Sequence, residues 1–387
     1  MGGTTPRGFP MPNDRWPPFR RMVHSHMPVK NYGNKKRSLK AAIGLLSALS
    51  LLLPVSCMEY GPRPKEDMDP VEHGVFIINE GNFTYGNATL SFYDPENKRV
   101  ENEVFIRTNG IKLGDVAQSM VVRENKGYIV VNNSGIIFIL NTDTYKITGE
   151  ITGFTSPRHI LFLGDDKAYV TDLYESRITV VNPSTREITG HIDTNGHKST
   201  EHILRWGEYV FVNCWSYDNT VLAIDTRTDT VVREIEVGLQ PASMAIDKYG
   251  KLWVLCSGGY EGMEGGRETP ALFRINAESM EVEARFPFSP KDVPRDLCIN
   301  GAGDTLYFIN GAVWRMYAGD EVLPLEPFVA DRSTIYYSIA ADPCSGDLYV
   351  ADAIDYRQPG TVYRYGAGGE LIDSFSTGII PGGFCFK

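Results

Sequence analysis

A unit of about forty residues repeats along the chain from residue 72 to the C-terminus, and this repeat limits the possible folds more than any other feature. Each unit has a short apolar first segment, and these segments start near Ala117, Pro157, Thr200, Pro241, Pro294, Tyr336 and Pro381. The intervals between them are 40, 43, 41, 53, 42 and 45 residues. A second apolar segment occurs in seven copies, and six of them end on Asn or Asp, at Asn79, Asn132, Asp172, Asn213, Asn310 and Asp352.

Four short strands in a unit of this length are typical of one blade of a β-propeller. The composition agrees, because Gly is abundant, aromatic residues make up 11% of the chain, and long amphipathic helical runs are missing. Seven units in register predict an all-β fold, a seven-bladed β-propeller over residues 72–387. The alternative is a β-sandwich in which the similarity between the units is accidental.

The two ends of the repeat region complement each other. The region starts with a segment of the second-strand type at 75–79 and has no first strand before it. It ends with PGGFCFK at 381–387, a first-strand segment that nothing follows. We therefore predict that the N- and C-terminal strands together close the first blade, which removes the exposed edges of an open stack.

The first 56 residues have the features of an export signal. The basic stretch KKRSLK precedes an apolar run at 41–56, which is shorter than the about 20 apolar residues of a membrane-spanning helix. The run leads into LLLPVSC, which resembles the lipobox of bacterial lipoproteins, although Pro54 stands where Leu or a similar residue is usual. We predict a signal peptide with an over-extended N-terminus at 1–56, lipidation of Cys57 and a lipidated linker at 57–71. A plain cleaved signal with an unrelated cysteine is the alternative.

Removal of the signal makes the remaining chain strongly acidic. Of 38 basic and 48 acidic residues, nine basic and one acidic lie in residues 1–56, which leaves a net charge of −18. A surface of this charge argues against nucleic-acid binding and against electrostatic docking on anionic lipid. We expect membrane attachment through the lipid anchor only.

Five cysteines remain beyond Cys57 without a C-x-x-C pair, so we expect most of them to be buried small hydrophobic residues.

One face of the predicted propeller is rich in aromatic and polar residues. The loop between the second and third strands of a blade emerges on the same face as the link to the next blade. Turns of the opposite face, such as RENKG and DPCSGD, have ordinary turn chemistry. The segment NCWSYDN differs, because Trp215 and Tyr217 stand in a turn that usually takes Gly, Asn or Asp. We predict a ligand-binding platform made of the loop residues Phe83, Tyr85, Asn132, Asp172, Tyr174, Trp215, Tyr217, Tyr260, Trp314, Tyr356 and Arg357 and the link residues Arg158, His159, His202, Arg295 and Tyr337.

Other roles are open for parts of this set. Single rings can cover the top of the core, and the Asn and Asp residues can cap strand ends and turns. His159 and His202 occupy equivalent positions in neighbouring units, but the spacing provides no third metal ligand, so we expect hydrogen-bonding roles and no metal site. The sequence contains no nucleophile elbow, phosphate loop or zinc motif. We predict binding without catalysis, with no cofactor required, by a monomeric domain.

Several stretches resemble the YncE-like family of seven-bladed propellers and, within it, the BtuG surface lipoproteins of gut bacteria. They are INEGNFTYGNATLSFYDP, KLGDVAQSMVV, ITGFTSPRHI, FVNCWSYDN, SGGYEG and GIIPGGFCFK. The resemblance implies capture of cobalamin (vitamin B12) or a related corrinoid and its transfer to a TonB-dependent outer-membrane transporter. It also implies a lipid-anchored protein in the outer membrane that faces the cell exterior. A glycan- or peptide-binding propeller, and a propeller lyase with His159 or His202 as base, are the alternatives.

Overall fold

The computed structural model describes residues 72–263, 266–332 and 334–387 of the protein. Within them, seven small antiparallel sheets form a ring, so the fold is the predicted seven-bladed β-propeller. The predicted starts of the seven first strands agree with the structure to within one residue. The predicted signal peptide, Cys57 and the linker at 57–71 lie outside the described residues.

The strands follow each other blade by blade along the chain. Blade 1 contains β1 (Val75–Asn79), β2 (Thr89–Asp94) and β3 (Arg99–Glu101), and the helix α1 (Val104–Asn109) follows it. Blade 2 contains β4 (Ala117–Arg123), β5 (Lys126–Val131), β6 (Ile136–Asn141) and β7 (Ile147–Thr152), and blade 3 contains β8 (Pro157–Phe162), β9 (Ala168–Asp172), β10 (Arg177–Asn182) and β11 (Glu187–Asp193). Blade 4 contains β12 (Thr200–Trp206), β13 (Tyr209–Cys214), β14 (Thr220–Asp225) and β15 (Thr230–Glu236), and blade 5 contains β16 (Pro241–Ile246), β17 (Lys251–Cys256), β18 (Ala271–Asn276) and β19 (Val282–Pro287). Blade 6 contains β20 (Arg295–Ile299), β21 (Thr305–Asn310) and β22 (Ala312–Tyr317), blade 7 contains β23 (Tyr336–Ala341), β24 (Leu348–Asp352), β25 (Pro359–Tyr365) and β26 (Leu371–Ile379), and β27 (Pro381–Phe386) ends the chain.

Blade 1 takes its innermost strand from the C-terminus. β27 pairs antiparallel with β1 along all five residues of Val75–Asn79. Further out, the Tyr93 hydroxyl donates a hydrogen bond of 2.8 Å to Asp373 Oδ2 in blade 7. Burial, reinforced by this carboxylate, raises the pKa of Tyr93 to about 12. The prediction that both chain ends close the ring is therefore confirmed.

Blade 6 departs from the prediction of four strands in every unit, because its sheet has three strands in the described residues. The outer edge of β22 is met by a single bridge between Val313 and Val329, with a hydrogen bond of 3.0 Å from Val313 N to the Val329 carbonyl. The segment before Val329 contains Pro324 and Pro327. Proline cannot donate to a strand ladder, so a regular fourth strand does not form here.

The helix α1 is a second departure, because the sequence pattern predicts strands alone. It buries Val104 and Phe105, and the Phe105 ring lies 5.1 Å from the Phe138 ring of blade 2, measured between centroids. Gly110 ends the helix in the left-handed region with φ 72°, and its N–H donates to the Ile106 carbonyl at 2.9 Å.

The described ranges hold no helix with the length and apolar character needed to cross a membrane.

Seven hydrophobic clusters form the core of the described part of the chain, one at each junction between neighbouring blades. At the junction of blades 5 and 6, Trp253 is fully buried and its indole N–H donates to Asp247 Oδ2 at 2.9 Å. At the junction of blades 7 and 1, the ring centroids of Tyr349 and Phe384 lie 6.0 Å apart. Each blade therefore buries its two faces only when both of its neighbours are in place.

Each innermost strand is irregular at its beginning. A register shift after the first residue leaves a single residue out of the ladder in five blades. In blades 3 and 4, two residues of the innermost strand stand opposite one residue of the second strand. Such β-bulges re-aim side chains relative to a regular strand. The bulged residues are Gly382, Gln118, Arg158 with His159, Glu201 with His202, Ala242, Asp296 and Tyr337.

A buried ion pair joins the bulges of blades 3 and 4. Arg158 donates to both carboxylate oxygens of Glu201, from Nε to Oε2 at 2.6 Å and from Nη2 to Oε1 at 2.7 Å. The two side chains are only 4% and 1% exposed. Ser119 Oγ of blade 2 donates to the Arg158 carbonyl at 2.7 Å, and Thr171 Oγ1 of blade 3 donates to the Glu201 carbonyl at 2.7 Å. These hydrogen bonds connect three consecutive blades near the central opening.

All five cysteines of the described residues are free thiols. Cys214, Cys256 and Cys385 are buried, Cys298 is half-buried and Cys344 is exposed. Burial raises the pKa of the Cys385 thiol to about 12. The expectation that most of the cysteines are buried small hydrophobic residues therefore holds for three of the five.

Deletion of residues 381–387 removes β27 and leaves β1 with an unpaired edge. We expect the melting temperature to fall by at least about 10 °C, because several kcal/mol of strand pairing and packing are lost, at roughly 2–4 °C per kcal/mol. Deletion of Lys387 alone keeps the strand and is the control. Equal melting curves for the longer deletion and the wild type would contradict closure by β27.

Replacement of Glu201 by Gln leaves the buried Arg158 guanidinium without its counter-charge. We expect a loss of about 3–5 kcal/mol of unfolding free energy in denaturant titrations, and substantial recovery in the double variant Arg158→Met/Glu201→Leu. Asp165→Ala is the matched control, because it breaks the exposed ion pair of Arg123 with Asp165 and should cost less than about 1 kcal/mol. Similar losses for Glu201→Gln and Asp165→Ala would show that the Arg158–Glu201 pair has no special role.

Candidate functional site

The strand register places the loops between second and third strands, and the links between blades, on one side of the ring, which we term the upper face. The first residue of an innermost strand pairs with the end of the second strand, as in Ala117 with Val131 and Thr200 with Cys214. The bulges follow directly after these first residues, so they lie at the same side. The upper face thus combines the aromatic loops with side chains that the bulges release from the ladder.

Two tyrosines of neighbouring blades meet on the upper face. The hydroxyl oxygens of Tyr217 in blade 4 and Tyr260 in blade 5 are 3.1 Å apart. Tyr217 has φ 61°, a left-handed conformation that is uncommon for a non-glycine residue. The next residue, Asp218, accepts a hydrogen bond of 2.8 Å from Gln240 N at its carbonyl, and its Oδ2 lies 2.7 Å from His197 Nδ1. The NCWSYDN loop is therefore held from both adjacent links, and its tyrosine contacts the loop of the next blade.

A second group spans blades 6, 7 and 1. Arg295 Nη1 lies 3.4 Å from the Tyr356 hydroxyl, and the Tyr356 and Tyr337 rings meet edge to face with centroids 5.9 Å apart. The Tyr337 hydroxyl donates to Glu80 Oε2 at 3.0 Å. Asn82 Nδ2 donates to the Tyr356 carbonyl at 2.7 Å. Three predicted site residues thus come together, and the buried Glu80 orients one of them.

A third group is formed by the doubled bulges of blades 3 and 4. The His159 and His202 rings lie with their centroids 4.6 Å apart. His159 Nε2 is 3.7 Å from Glu201 Oε1, the same carboxylate that Arg158 binds. Three predicted residues, Arg158, His159 and His202, therefore surround one carboxylate.

Asn132 and Asp172 are buried and bonded to neighbouring backbone and side-chain atoms. Asn132 Nδ2 donates to Ser156 Oγ at 2.8 Å and to the Pro157 carbonyl at 3.1 Å. Asp172 Oδ2 accepts from Ser156 N at 2.7 Å, and Asp172 Oδ1 accepts from Tyr174 N at 2.9 Å. These contacts fix the link between blades 2 and 3, which is the capping role that the sequence leaves open for this column.

Trp314 lies within a strand and not in a loop. β21 and β22 are joined by Gly311 alone, which has φ 67°, so blade 6 has no loop between its second and third strands that could present a ring. The indole is half-buried against the cluster between blades 5 and 6, and its N–H donates to the Asn310 carbonyl at 3.0 Å.

The other predicted residues lie in loops of the upper face. Tyr85 is 73% exposed, in a loop whose Thr84 N donates to Asp115 Oδ2 at 2.9 Å. Trp215 N donates to the Ser199 carbonyl at 2.8 Å, which fixes the start of its loop. Phe83 and Trp215 are half-buried, and Tyr174 and Arg357 are exposed.

Sequence reasoning missed Glu201 and Glu80. Glu201 follows Thr200 as Arg158 follows Pro157, so an alignment of neighbouring units places opposite charges at equivalent positions. That pairing is a signal that the sequence contains. Glu80 follows the second strand of blade 1, but its partner Tyr337 is 257 residues away, and ring closure alone brings them together.

A separate cleft of about 290 Å³ lies on the opposite side of the ring. It is lined by turn residues of blades 2 and 3, among them Glu124, Lys126 and Arg186. It contains none of the predicted site residues, and its lining is ordinary turn and strand-edge chemistry. The convergence of aromatic and charged side chains favours the upper face as the candidate site.

Solved structures with this fold come from proteins of different kinds. A quinonprotein alcohol dehydrogenase-like protein from Bacteroides thetaiotaomicron has a TM-score of 0.60 at 16% identity, covering 81% of this chain and 78% of its own. The hydrazine synthase of Kuenenia stuttgartiensis has a TM-score of 0.55 at 15% identity, covering 70% and 89%. Apo AztD from Citrobacter koseri has a TM-score of 0.53 at 10% identity, covering 81% and 98%. At these identities the likeness shows the propeller fold alone.

No curated protein matches the sequence significantly. A family model does match, over residues 73–378, which is nearly the whole ring. The matched segment begins just before β1 and ends in β26, so it includes all seven blades except the closing strand. The chain therefore belongs to the family described as a domain of unknown function, DUF5074.

Proposed function

We propose that this protein is a non-catalytic binding protein whose upper face captures cobalamin or a related corrinoid. The observation that carries the proposal is the gathering of tyrosines from separate blades, Tyr217 with Tyr260 and Tyr337 with Tyr356, on one side of the ring. Arg295 adds a cation beside the second pair. The resemblance of the loop sequences to corrinoid-capturing propellers gives the ligand class.

A corrinoid suits a surface of this chemistry. It has a broad apolar ring edged by amides, a phosphate and a nucleotide. Burial of about 400 Å² of apolar ligand surface contributes roughly 10 kcal/mol before ordering costs. Tyrosine and tryptophan side chains provide such area with few rotatable bonds, and their polar atoms can pair with amides. A guanidinium such as that of Arg295 can pair with the phosphate.

Several features favour binding over catalysis. Burial raises the pKa of Cys214, next to Trp215, well above its ordinary value, which makes the thiol a weak nucleophile. Glu201, whose Oε1 lies 3.7 Å from His159 Nε2, already accepts two hydrogen bonds from Arg158. A histidine base usually needs a partner that orients it, and Arg158 competes for this one. We therefore assign His159 no role as a base.

We further propose that Cys57 is lipidated and anchors the protein in the outer membrane, facing the exterior. The basic stretch, the apolar run and the cysteine of LLLPVSC support this. The acidic remainder of the chain makes the lipid the main attachment. In this position the protein would hand its ligand to a TonB-dependent transporter.

A glycan is the second candidate ligand. Tyr85 and Tyr174 are exposed on the upper face, and exposed aromatic rings can stack on sugars as well as on corrins. A glycan array read with wild type and Trp215→Ala separates the two candidates. If the wild type binds one class of glycan, Trp215→Ala does not bind it, and the wild type shows no corrinoid binding, the ligand is a glycan and the corrinoid proposal is wrong.

Titration of the purified protein with cyanocobalamin, followed by calorimetry and corrin absorbance, tests the ligand class. We expect saturable binding of one ligand, weakened about 30-fold by Trp215→Ala or Tyr217→Ala, since a buried aromatic anchor contributes about 2 kcal/mol. Tyr249→Ala is the control, because Tyr249 is 62% exposed in a turn of the opposite face. No binding at about 10 μM ligand would end the corrinoid proposal.

Replacement of Cys57 by Ser tests the anchor. We expect the wild type in the membrane fraction with incorporated radiolabelled fatty acid, and the variant unlabelled and released, because two or more acyl chains are needed for stable anchoring. Cys344→Ser is the control, since Cys344 is an exposed thiol in the ring. Equal labelling of wild type and Cys57→Ser would contradict lipidation at this residue.

A further inference from the structure

We propose that His159, Glu201 and His202 form a binding site for a divalent transition-metal cation of the zinc class. One ligand atom from each of the three residues lies within 4.8 Å of the other two. His159 Nε2 and Glu201 Oε1 are 3.7 Å apart. A tetrahedral ion with bonds of about 2.0–2.1 Å needs ligand atoms about 3.4 Å apart. Side-chain rotations that move the ligand atoms by about 1 Å would therefore complete the site.

The donor set decides which cation fits. Two imidazole nitrogens and one carboxylate oxygen match the three-ligand zinc sites that leave a fourth coordination position open. Magnesium and calcium prefer six or more oxygen ligands, which these residues do not provide. Copper and nickel also bind imidazole, so competition among these ions follows their general affinity order.

The fold places the three ligands on a rigid frame. The histidines and Glu201 lie in doubled bulges of adjacent innermost strands, outside the strand ladder. Glu201 is 1% exposed and His159 is 24% exposed, and the His159 Nε2 atom itself is buried, so the ion would bind below the surface. Three protein ligands would leave a fourth coordination position for a water or a donor atom of a ligand.

Arg158 acts as a positioning residue for this site. Its two hydrogen bonds orient the Glu201 carboxylate, and an ionised carboxylate has about four lone-pair sites in all. Groups that hydrogen-bond to a ligand in this way fix its direction. The Arg158 charge also offsets that of Glu201, which reduces the electrostatic attraction for every cation, so selectivity would come from the two imidazoles.

A second cluster, His197 with Cys214 and Asp218, is less suited to a metal ion. Its ligand atoms also lie within 4.8 Å of one another. However, Cys214 is completely buried, and burial raises its pKa, so the thiolate that zinc needs is disfavoured. His197 Nδ1 already contacts Asp218 Oδ2 at 2.7 Å. This cluster provides the matched control.

The test uses the full chain, purified without a histidine tag and stripped with a chelator, then dialysed against Zn²⁺. We expect about one equivalent of tightly held zinc in the wild type and in His197→Ala, with an increase of the melting temperature. We expect the double variant His159→Ala/His202→Ala to lose this equivalent, and Arg158→Lys to bind zinc about tenfold more weakly.

The single variants His159→Gln and His202→Gln keep the test decisive if the double variant unfolds, because each removes one ligand and retains most of the side-chain volume. Zinc content equal in the wild type and in folded histidine variants would overturn the proposal. So would loss of zinc in His197→Ala alone. The readout is independent of cyanocobalamin, so this result does not depend on the corrinoid proposal.

Discussion

The pairing of β1 with β27, the strands from the two ends of the repeat region, is the contact on which the rest of the ring depends. None of the seven clusters of the core belongs to one blade, because each lies between two neighbours. A blade therefore gains most of its stability from the presence of the next blade. The β1–β27 ladder makes this dependence circular, and the cluster that contains Val75, Tyr349 and Phe384 exists only when residues from both ends of the repeat region meet. The same closure brings Glu80 to Tyr337 and so completes part of the candidate site.

The frame could be predicted from the sequence because it depends on local patterns that repeat. The apolar first and second segments, and the Asn or Asp that ends the second, define strand positions without knowledge of their partners. The departures arise where one copy breaks the pattern. Pro324 and Pro327 prevent a regular outer strand in blade 6, and a six-residue helix packs Phe105 against blade 2. Neither is visible from the period of the repeat.

The candidate site could be predicted in part. Trp215 and Tyr217 mark their loop because such rings are unusual in a turn, and the structure shows Tyr217 in a left-handed conformation within a loop held by the adjacent links. Asn132 shows the limit of this reasoning, since the same residue type serves a cap as well as a ligand. The bulges could not be predicted, because a register shift is a property of two paired strands and not of one sequence segment.

The bulges also separate two demands that a single strand would have to meet together. A side chain outside the ladder can be exchanged while the sheet keeps its hydrogen bonds, so a position such as Ala242 can vary without disturbing strand pairing. The positions of Arg158 and Glu201 lack this freedom, because each needs the other to remain buried. Divergence among related chains should therefore be uneven around the rim, rapid in most blades and slow, by paired replacements, where blades 3 and 4 meet.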